Sequence, residues 1–145
     1  MSITIYPVPP KSVAKLWGKL EPFVGRALAF AQGEFLSEDI GNSLKNGNMQ
    51  AWMVCEDKHV LGLFITEVIE YPRFTSLRVV TTTGTRFDSW SGVLDACLTK
   101  FAAEQGCSRI EATGRRGWVR KMADFGYIGA YTTVVKNLVP REAVQ

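Results

Sequence analysis

The sequence predicts a single α/β domain, and two observations carry that prediction. Strand-like and helix-like segments alternate along the 145 residues, with no repeat or low-complexity linker between them. Hydrophobic residues make up 46% of the chain and charged residues 21%, which supplies enough apolar surface for one buried core. The composition excludes a disordered, collagen-like or coiled-coil protein.

The first third of the chain predicts one strand followed by helices. Residues 3–8 alternate apolar and polar side chains and end in prolines, which is typical of a strand at a sheet edge. Apolar side chains three and four residues apart over 13–28 predict a helical face. We expect two helices there, with Pro22 in the first turn of the second, because proline cannot donate a hydrogen bond inside a helix. A further helix is predicted from Ser37, as N-cap, to Gly47.

The middle of the chain predicts an antiparallel meander of three strands. The segments rich in Val, Ile, Thr and Phe are 51–55, 60–69 and 77–83. A polar tip at 56–59 separates the first two, so His59 is interpreted as a solvated turn residue rather than a ligand or a base.

The last third predicts helix, strand, helix and strand. The first helix begins with Asp88 or Ser89 as its cap and ends at Gly106. A strand over 108–113, a short helix over 118–124 and a final strand over 131–138 follow. We expect the domain to span 1–139 and residues 140–145 to form a loose tail.

The net charge of +3 is concentrated in one segment. Residues 109–121 hold five basic residues against Glu111 alone, so this stretch carries +4 and the rest of the chain −1. Such a small total does not predict a nucleic-acid-binding protein, a class that only the arginine cluster favours.

Cysteine usage and hydropathy set the compartment that we expect. The three cysteines, at 55, 97 and 107, include no Cys-x-x-Cys pair, and one His gives them no partner, so we expect free thiols and no metal site. The longest apolar run, 60–66, is far shorter than the ~20 residues of a membrane span, and no signal core follows Met1. We expect a protein of the cytoplasm.

Two local motifs and the order of elements resemble one fold. The motifs are the loop Val79-Val80-Thr81-Thr82-Thr83-Gly84-Thr85-Arg86-Phe87-Asp88, between a strand and a helix, and the pair Gly126-Tyr127 after the short helix. Both resemble the GNAT (Gcn5-related N-acetyltransferase) family. The resemblance implies a mixed, mostly antiparallel sheet flanked by helices, with acetyl-CoA as cofactor and an amine as acceptor.

The resemblance assigns the cofactor site to Val80, Thr82, Gly84, Thr85 and Arg86. Backbone N–H groups at the start of a helix bind anions, so the pyrophosphate is expected at this loop. The sequence departs from the family pattern in having one glycine where two small residues are usual, and in placing Asp88 near the phosphates. The alternative interpretation is a polar turn capped by Asp88.

Two other groups of the family pattern are missing. The tyrosine that serves as general acid in many members corresponds to Met122, and the asparagine after the preceding strand to Thr113-Gly114. Glu67 is the candidate base, with Glu70 in reserve, since a carboxylate in an apolar strand can have a raised pKa. Glu67 could instead point to solvent or pair with Arg78.

A final motif, Gly114-Arg115-Arg116-Gly117-Trp118, is similar to a turn in small GNAT-like proteins of tailed phages. Its Arg115 and Arg116, with Arg120, form a candidate site for an anion or a protein partner. Two functions therefore stay open: an N-acyltransferase with a degenerate cofactor site, or a non-catalytic phage or prophage protein, virion-associated or partner-binding through this arginine-rich turn.

Overall fold

A five-stranded sheet forms the centre of the molecule. In the computed structural model, which describes residues 2–29, 31, 33–114 and 116–139, the strands are β1 Ile3–Val8, β2 Gln50–Glu56, β3 His59–Glu70, β4 Thr75–Gly84 and β5 Arg109–Ala112. Their spatial order is the order of the chain. Neighbouring strands are antiparallel except β4 and β5, which are parallel, so the prediction of a mixed, mostly antiparallel sheet is confirmed.

Four helices cover the two faces of this sheet. They are α1 Val13–Leu28, α2 Ser37–Lys45, α3 Phe87–Glu104 and α4 Arg116–Met122. Short 3-10 turns precede α1 at Pro10–Ser12 and follow α4 at Ala123–Phe125. No helix among the described residues is long and apolar enough to cross a membrane.

Each face of the sheet has its own hydrophobic core. On one face, α1 and α2 pack Leu20 and Ile40 against Leu63 and Ile65 of β3. On the other face, Trp90 and the apolar stripe of α3 pack against side chains that alternate with these along the strands. The candidate site lies where the sheet carries polar side chains: at the end of β4 and along a charged row that crosses β3, β4 and β5.

The prediction that Pro22 divides two helices is wrong. One helix, α1, runs through it, because the apolar stripe continues on both sides: Leu20 is 1% exposed and Val24 is fully buried. Burying side chains of this size is worth about 1.5–3 kcal/mol each, which offsets the roughly 3 kcal/mol cost of an internal proline.

Both predicted helix caps are displaced by one or more residues. Leu36, not Ser37, caps α2, and its N–H donates to the Asp39 carboxylate at 2.8 Å. Arg86 precedes α3 in a left-handed conformation, so Asp88 lies in the first turn and caps nothing. In both cases a residue inside the first turn takes over part of the capping role.

The predicted final strand over 131–138 is not formed. Residues 127–137 have no regular structure, although their composition favours a strand. Strand residues need a neighbouring edge to pair with, and this segment pairs with none of the five strands. Residues 140–145, the predicted tail, lie outside the described residues.

Candidate functional site

The central feature of the site is the separation of β4 from β5. Their parallel pairing ends at Val79 and Ala112, whereas β4 continues for Val80–Gly84 paired with β3 alone. Backbone N–H and C=O groups of this half of β4 that point away from β3 have no strand partner among the described residues. Such groups can bind an extended ligand by strand-like hydrogen bonds.

A β-bulge marks the point where the two strands separate. Thr66 of β3 pairs with Val79, but Ile65 pairs with Thr81, so Val80 is an extra residue in β4. A bulge of this kind redirects side chains and local backbone, and bulges are common beside functional sites. Beyond it, Thr82 faces the α3 side, where its hydroxyl oxygen is buried with no hydrogen-bond partner among the described residues.

The loop after β4 is held close to β3. Gly84 has a φ of +147°, and a Cβ there would come 2.4 Å from the carbonyl oxygen of Leu61. The N–H of Thr85 donates to that carbonyl at 2.9 Å. The indole N–H of Trp90 donates to the carbonyl of Thr85 at 2.8 Å. Only glycine fits this approach, so the predicted importance of Gly84 has a steric cause.

The start of α3 presents free donors to this loop. The amides of Phe87 and Asp88 make no hydrogen bond with other described residues, as is usual in a first helical turn. Ser89 closes the turn by donating from both its N–H and its hydroxyl to the carbonyl of Arg86. Free amides at the positive end of an 18-residue helix favour an anion.

Charged side chains around the loop are already paired. Arg86 donates to both carboxylate oxygens of Glu56, at 2.9 and 3.0 Å, and this bonding lowers the pKa of Glu56. Lys121 of α4 donates to Asp88 at 2.9 Å. The charges of the two cations and the two carboxylates therefore cancel. A phosphate that binds here would have to displace the carboxylate from at least one of these two ion pairs.

A row of charged residues crosses the sheet next to the point of separation. Glu67 of β3 lies opposite Arg78 of β4, which lies opposite Glu111 of β5. Arg78 is 3.6 Å from each carboxylate. This row is one pair away from Val79 and Ala112, on the face that α1 and α2 cover, so the expected pairing of Glu67 with Arg78 is observed. Glu70 lies three residues further on and is exposed.

The two carboxylates of this row differ in their partners. Burial raises the pKa of Glu111, but hydrogen bonds from Ser76, Tyr71 and Arg109 outweigh it and lower the pKa overall. The Tyr71 hydroxyl donates to Glu111 at 2.9 Å. Glu67 has Arg78 as its single charged partner among the described residues. Glu67 is therefore the carboxylate of the row with fewer charged and hydrogen-bonding partners among the described residues.

An open pocket of about 480 Å³ adjoins this row through Glu111. Its walls are mainly aromatic and cationic: Tyr71, Pro72, Arg73, Phe74, Arg109 and Tyr131. Arg109 stacks over the Phe74 ring at 4.7 Å and donates to Glu111 at 3.2 Å.

The helix that would supply a general acid offers none at the expected position. Met122 is fully buried in the α3-side core. Tyr127, the nearest phenol along the chain, packs edge-on against Trp118 and has its hydroxyl oxygen buried. Burial, reinforced by Asp95, raises the pKa of Tyr127. Trp118 contributes to this core, as expected for an anchor of α4.

The predicted arginine-rich turn is only partly described. Arg115 and the side chain of Arg116 lie outside the described residues, whereas Arg120 is exposed. Within the described part of the chain, no cluster of three or more His, Cys, Asp or Glu side chains could hold a metal ion. Burial raises the pKa of each cysteine, in Cys97 to about 11.

The charged residues of the site that were not predicted from the sequence include Glu56, Glu111 and Lys121. Each acts through a partner distant in sequence. The register of neighbouring strands could have indicated Glu111, because it places opposite charges face to face.

No protein-family model and no curated protein sequence matches the chain. Solved structures match it at low identity. A predicted acetyltransferase from Clostridium acetobutylicum, crystallised with acetyl-CoA, superposes with a TM-score of 0.69 at 12% identity, over 94% of this chain and 97% of that one. A ribosomal-protein-alanine N-acetyltransferase from Brucella melitensis gives 0.68 at 13%, over 94% and 100%.

A GNAT family acetyltransferase from Staphylococcus aureus gives a TM-score of 0.65 at 17% identity, over 95% of this chain and 100% of that one. These identities support a conclusion about fold and none about residues. The chain therefore has the GNAT fold, as a single domain with a five-stranded mixed sheet.

Proposed function

We propose that the protein transfers an acyl group from acetyl-CoA to an amine. The observation that carries this proposal is the separation of β4 from β5 at Val79 and Ala112, together with the bulge at Val80. It leaves a backbone edge beside a loop and a helix start that favour an anion. A structural neighbour crystallised with acetyl-CoA supports the same cofactor.

The residues present fit this cofactor in two of three respects. The unpaired edge of Val80–Gly84 suits an amide-containing arm, and the free amides of Phe87 and Asp88 suit a phosphate. Arg86 suits a phosphate as well, but only after it leaves Glu56. Thr82 and Thr85 are proposed as further contacts. Acetyl-CoA, when bound, would supply an activated acyl carbonyl.

Glu67 is proposed as the base that takes the proton of the attacking amine. It lies one pair from the separation point and has one ionic partner, Arg78, at 3.6 Å. Its side chain is 25% exposed, so it can pass a proton on to water. Glu111 is the weaker candidate because several donors hold it in the charged form.

The proposed reaction does not require a side chain that protonates the leaving sulfur. Met122 cannot do so, but free thiols have a pKa of about 8.5, so a thiolate can leave without a general acid. We therefore expect slow turnover rather than none. The acceptor amine would enter by the pocket that contains Tyr71 and Glu111, which opens beside the charged row.

The test combines binding with turnover. Titration calorimetry with acetyl-CoA should show binding, and free thiol should accumulate when a panel of primary amines is added. Arg86→Ala should weaken binding, whereas Arg26→Ala, an exposed arginine at the end of α1, should not. No heat and no rise in melting temperature at millimolar acetyl-CoA would contradict the proposal.

The second candidate is a non-catalytic GNAT-fold protein, of phage or prophage origin, that binds a partner through the turn at Arg115, Arg116 and Arg120. The observation that favours it is Met122, buried where the family pattern has an acid, beside a loop whose charges are already paired. This candidate predicts no binding of acetyl-CoA, and the same titration separates the two.

A further inference from the structure

The one carboxylate of the open pocket beside the charged row, that of Glu111, already has several donors around it. Its two oxygens accept from the Tyr71 hydroxyl at 2.9 and 3.1 Å, and one of them also accepts from Arg109 at 3.2 Å. Nε of Arg78 lies 3.6 Å from the same carboxylate. A cationic group of a ligand would have to displace one of these donors, so Glu111 is a poor anchor for it.

The aromatic rings of the pocket also have a cation in place. The guanidinium carbon of Arg109 lies 4.7 Å from the centre of the Phe74 ring and 5.7 Å from that of Tyr71. The hydroxyl of Tyr131, a third ring of the pocket, lies beside the same guanidinium. Because Arg109 already provides the cation–π contact, the remaining ring surface favours an apolar group of a ligand rather than a second cation.

Arg73, in the turn between β3 and β4, is the cation of the pocket that lacks a partner. Its side chain lines the pocket and is exposed, and none of the described residues pairs with it. The nearby Glu70 follows Val68 of the α3-side core by two residues, so it points to the opposite face of the sheet. The free guanidinium of Arg73 therefore favours an anion, and its planar fork matches a carboxylate.

The distance from this pocket to the separation of β4 from β5 limits the length of a ligand that reaches both. Arg109 lies opposite Ser76 at the start of β4, and the strands separate after Ala112. Three residues of β-strand span about 10 Å. An α-amino acid carries its amine and its carboxylate on one carbon and is too short for this distance. A peptide of three residues, at about 10 Å, is long enough.

We propose that the acceptor is a short peptide whose C-terminal residue occupies this pocket. Its carboxylate pairs with Arg73, its apolar side chain packs against the rings of Tyr71, Phe74 and Tyr131, and its terminal amine lies where β4 and β5 separate. There the amine nitrogen bonds to the acyl carbon while the carbon–sulfur bond breaks, Glu67 takes the amine proton, and the thiolate leaves. The role as acceptor rests on the proposed acyl transfer, whereas the carboxylate site can be tested without it.

Titration calorimetry on the full chain with the tripeptide alanyl-alanyl-phenylalanine tests the carboxylate site. We expect the free acid to bind about tenfold or more tightly than its C-terminal amide, which differs in lacking the negative charge. Arg73→Ala should remove this preference and leave the melting temperature unchanged, because Arg73 is exposed and unpaired among the described residues. Arg26→Ala removes another exposed arginine that lies over a ring, that of Phe23, and should retain the preference. Equal binding of acid and amide, or a preference that Arg73→Ala leaves intact, would overturn the proposal.

Release of free thiol from acetyl-CoA tests the role of the peptide as acceptor. We expect kcat/KM for the tripeptide acid to exceed that for its amide about tenfold, and Arg73→Ala to make the two nearly equal. Acyl transfer to amines without a preference for the acid would overturn this acceptor and leave the proposed function in place. Preferential binding of the acid by a protein that does not bind acetyl-CoA would contradict the acyl transfer, and with it the role as acceptor, but would support the carboxylate site at Arg73.

Discussion

Arg86, in the loop that would bind phosphate, donates from both of its terminal guanidinium nitrogens to the carboxylate of Glu56, at 2.9 and 3.0 Å. Bidentate pairs of this kind are the strongest hydrogen bonds that a carboxylate makes with a side chain. Glu56 therefore occupies the position on Arg86 that a phosphate would take. We expect this competition to limit the affinity of the loop for an anion.

Removing the competing carboxylate should strengthen cofactor binding. Glu56→Gln leaves Arg86 free for a phosphate, and we expect the dissociation constant for CoA to fall about tenfold, which titration calorimetry measures. Asp57→Asn, at the next residue, in the exposed turn that follows β2, removes the same charge without touching Arg86. Equal effects of the two variants would mean that only net charge matters.

Removing the proposed base should slow the reaction without loosening the fold. For Glu67→Gln we expect turnover to fall by about 10²–10⁴-fold with a similar KM for acetyl-CoA. Glu70→Gln, at the exposed end of the same strand, should retain full activity. Loss of activity in both variants, together with a lower melting temperature, would indicate a structural role instead.

The close approach of the loop to β3 should make Gly84 intolerant of a side chain. Gly84→Ala places a methyl 2.4 Å from the Leu61 carbonyl at a φ of +147°, so we expect a loss of about 2–4 kcal/mol in unfolding free energy, measured by denaturant melts. Gly117→Ala in α4 meets nothing within 4 Å and should be neutral or stabilising by up to about 1 kcal/mol.

The ionisation of Glu111 should make the fold sensitive to acid. Its pKa is lowered in the folded protein, so it stabilises the fold above its unfolded-state pKa of about 4.3, and that contribution is lost as the pH falls below this value. We expect the melting temperature of Glu111→Gln to fall less than that of the native chain between neutral and acidic pH, by about 2–4 °C. Glu104→Gln, at the end of α3, should follow the native curve.

The fold was largely predictable because its signals are local. Alternation over 3–8 and the β-branched runs that became β2, β3 and β4 each identify a strand without knowledge of its neighbours. The wrong predictions concern segments whose structure depends on contacts with residues far away in the sequence. Pro22 lies inside a helix because the opposite sheet buries the residues around it, and residues 131–137 form no strand although their composition favours one.

The candidate site was predictable in position but not in its electrostatics. The loop at Gly84 and the carboxylate of Glu67 can be read from strand ends and residue type. The pairing of Arg86 with Glu56 joins residues 30 positions apart, and that of Lys121 with Asp88 joins residues 33 apart. No local pattern encodes such contacts, since they depend on how the helices dock on the sheet.

Because Val80 is an extra residue in β4, this strand could be shortened by one residue and still pair with β3. Thr81, Thr82 and Thr83 are identical, so deleting one of them changes the composition of β4 hardly at all. The shortened strand could pair regularly with β3, keeping Val79 opposite Thr66 and Gly84 opposite Gly62 while the bulge disappears. Such a deletion should yield a folded, heat-stable protein that no longer binds acetyl-CoA. That result would show that the bulge is needed for binding and not for formation of the sheet.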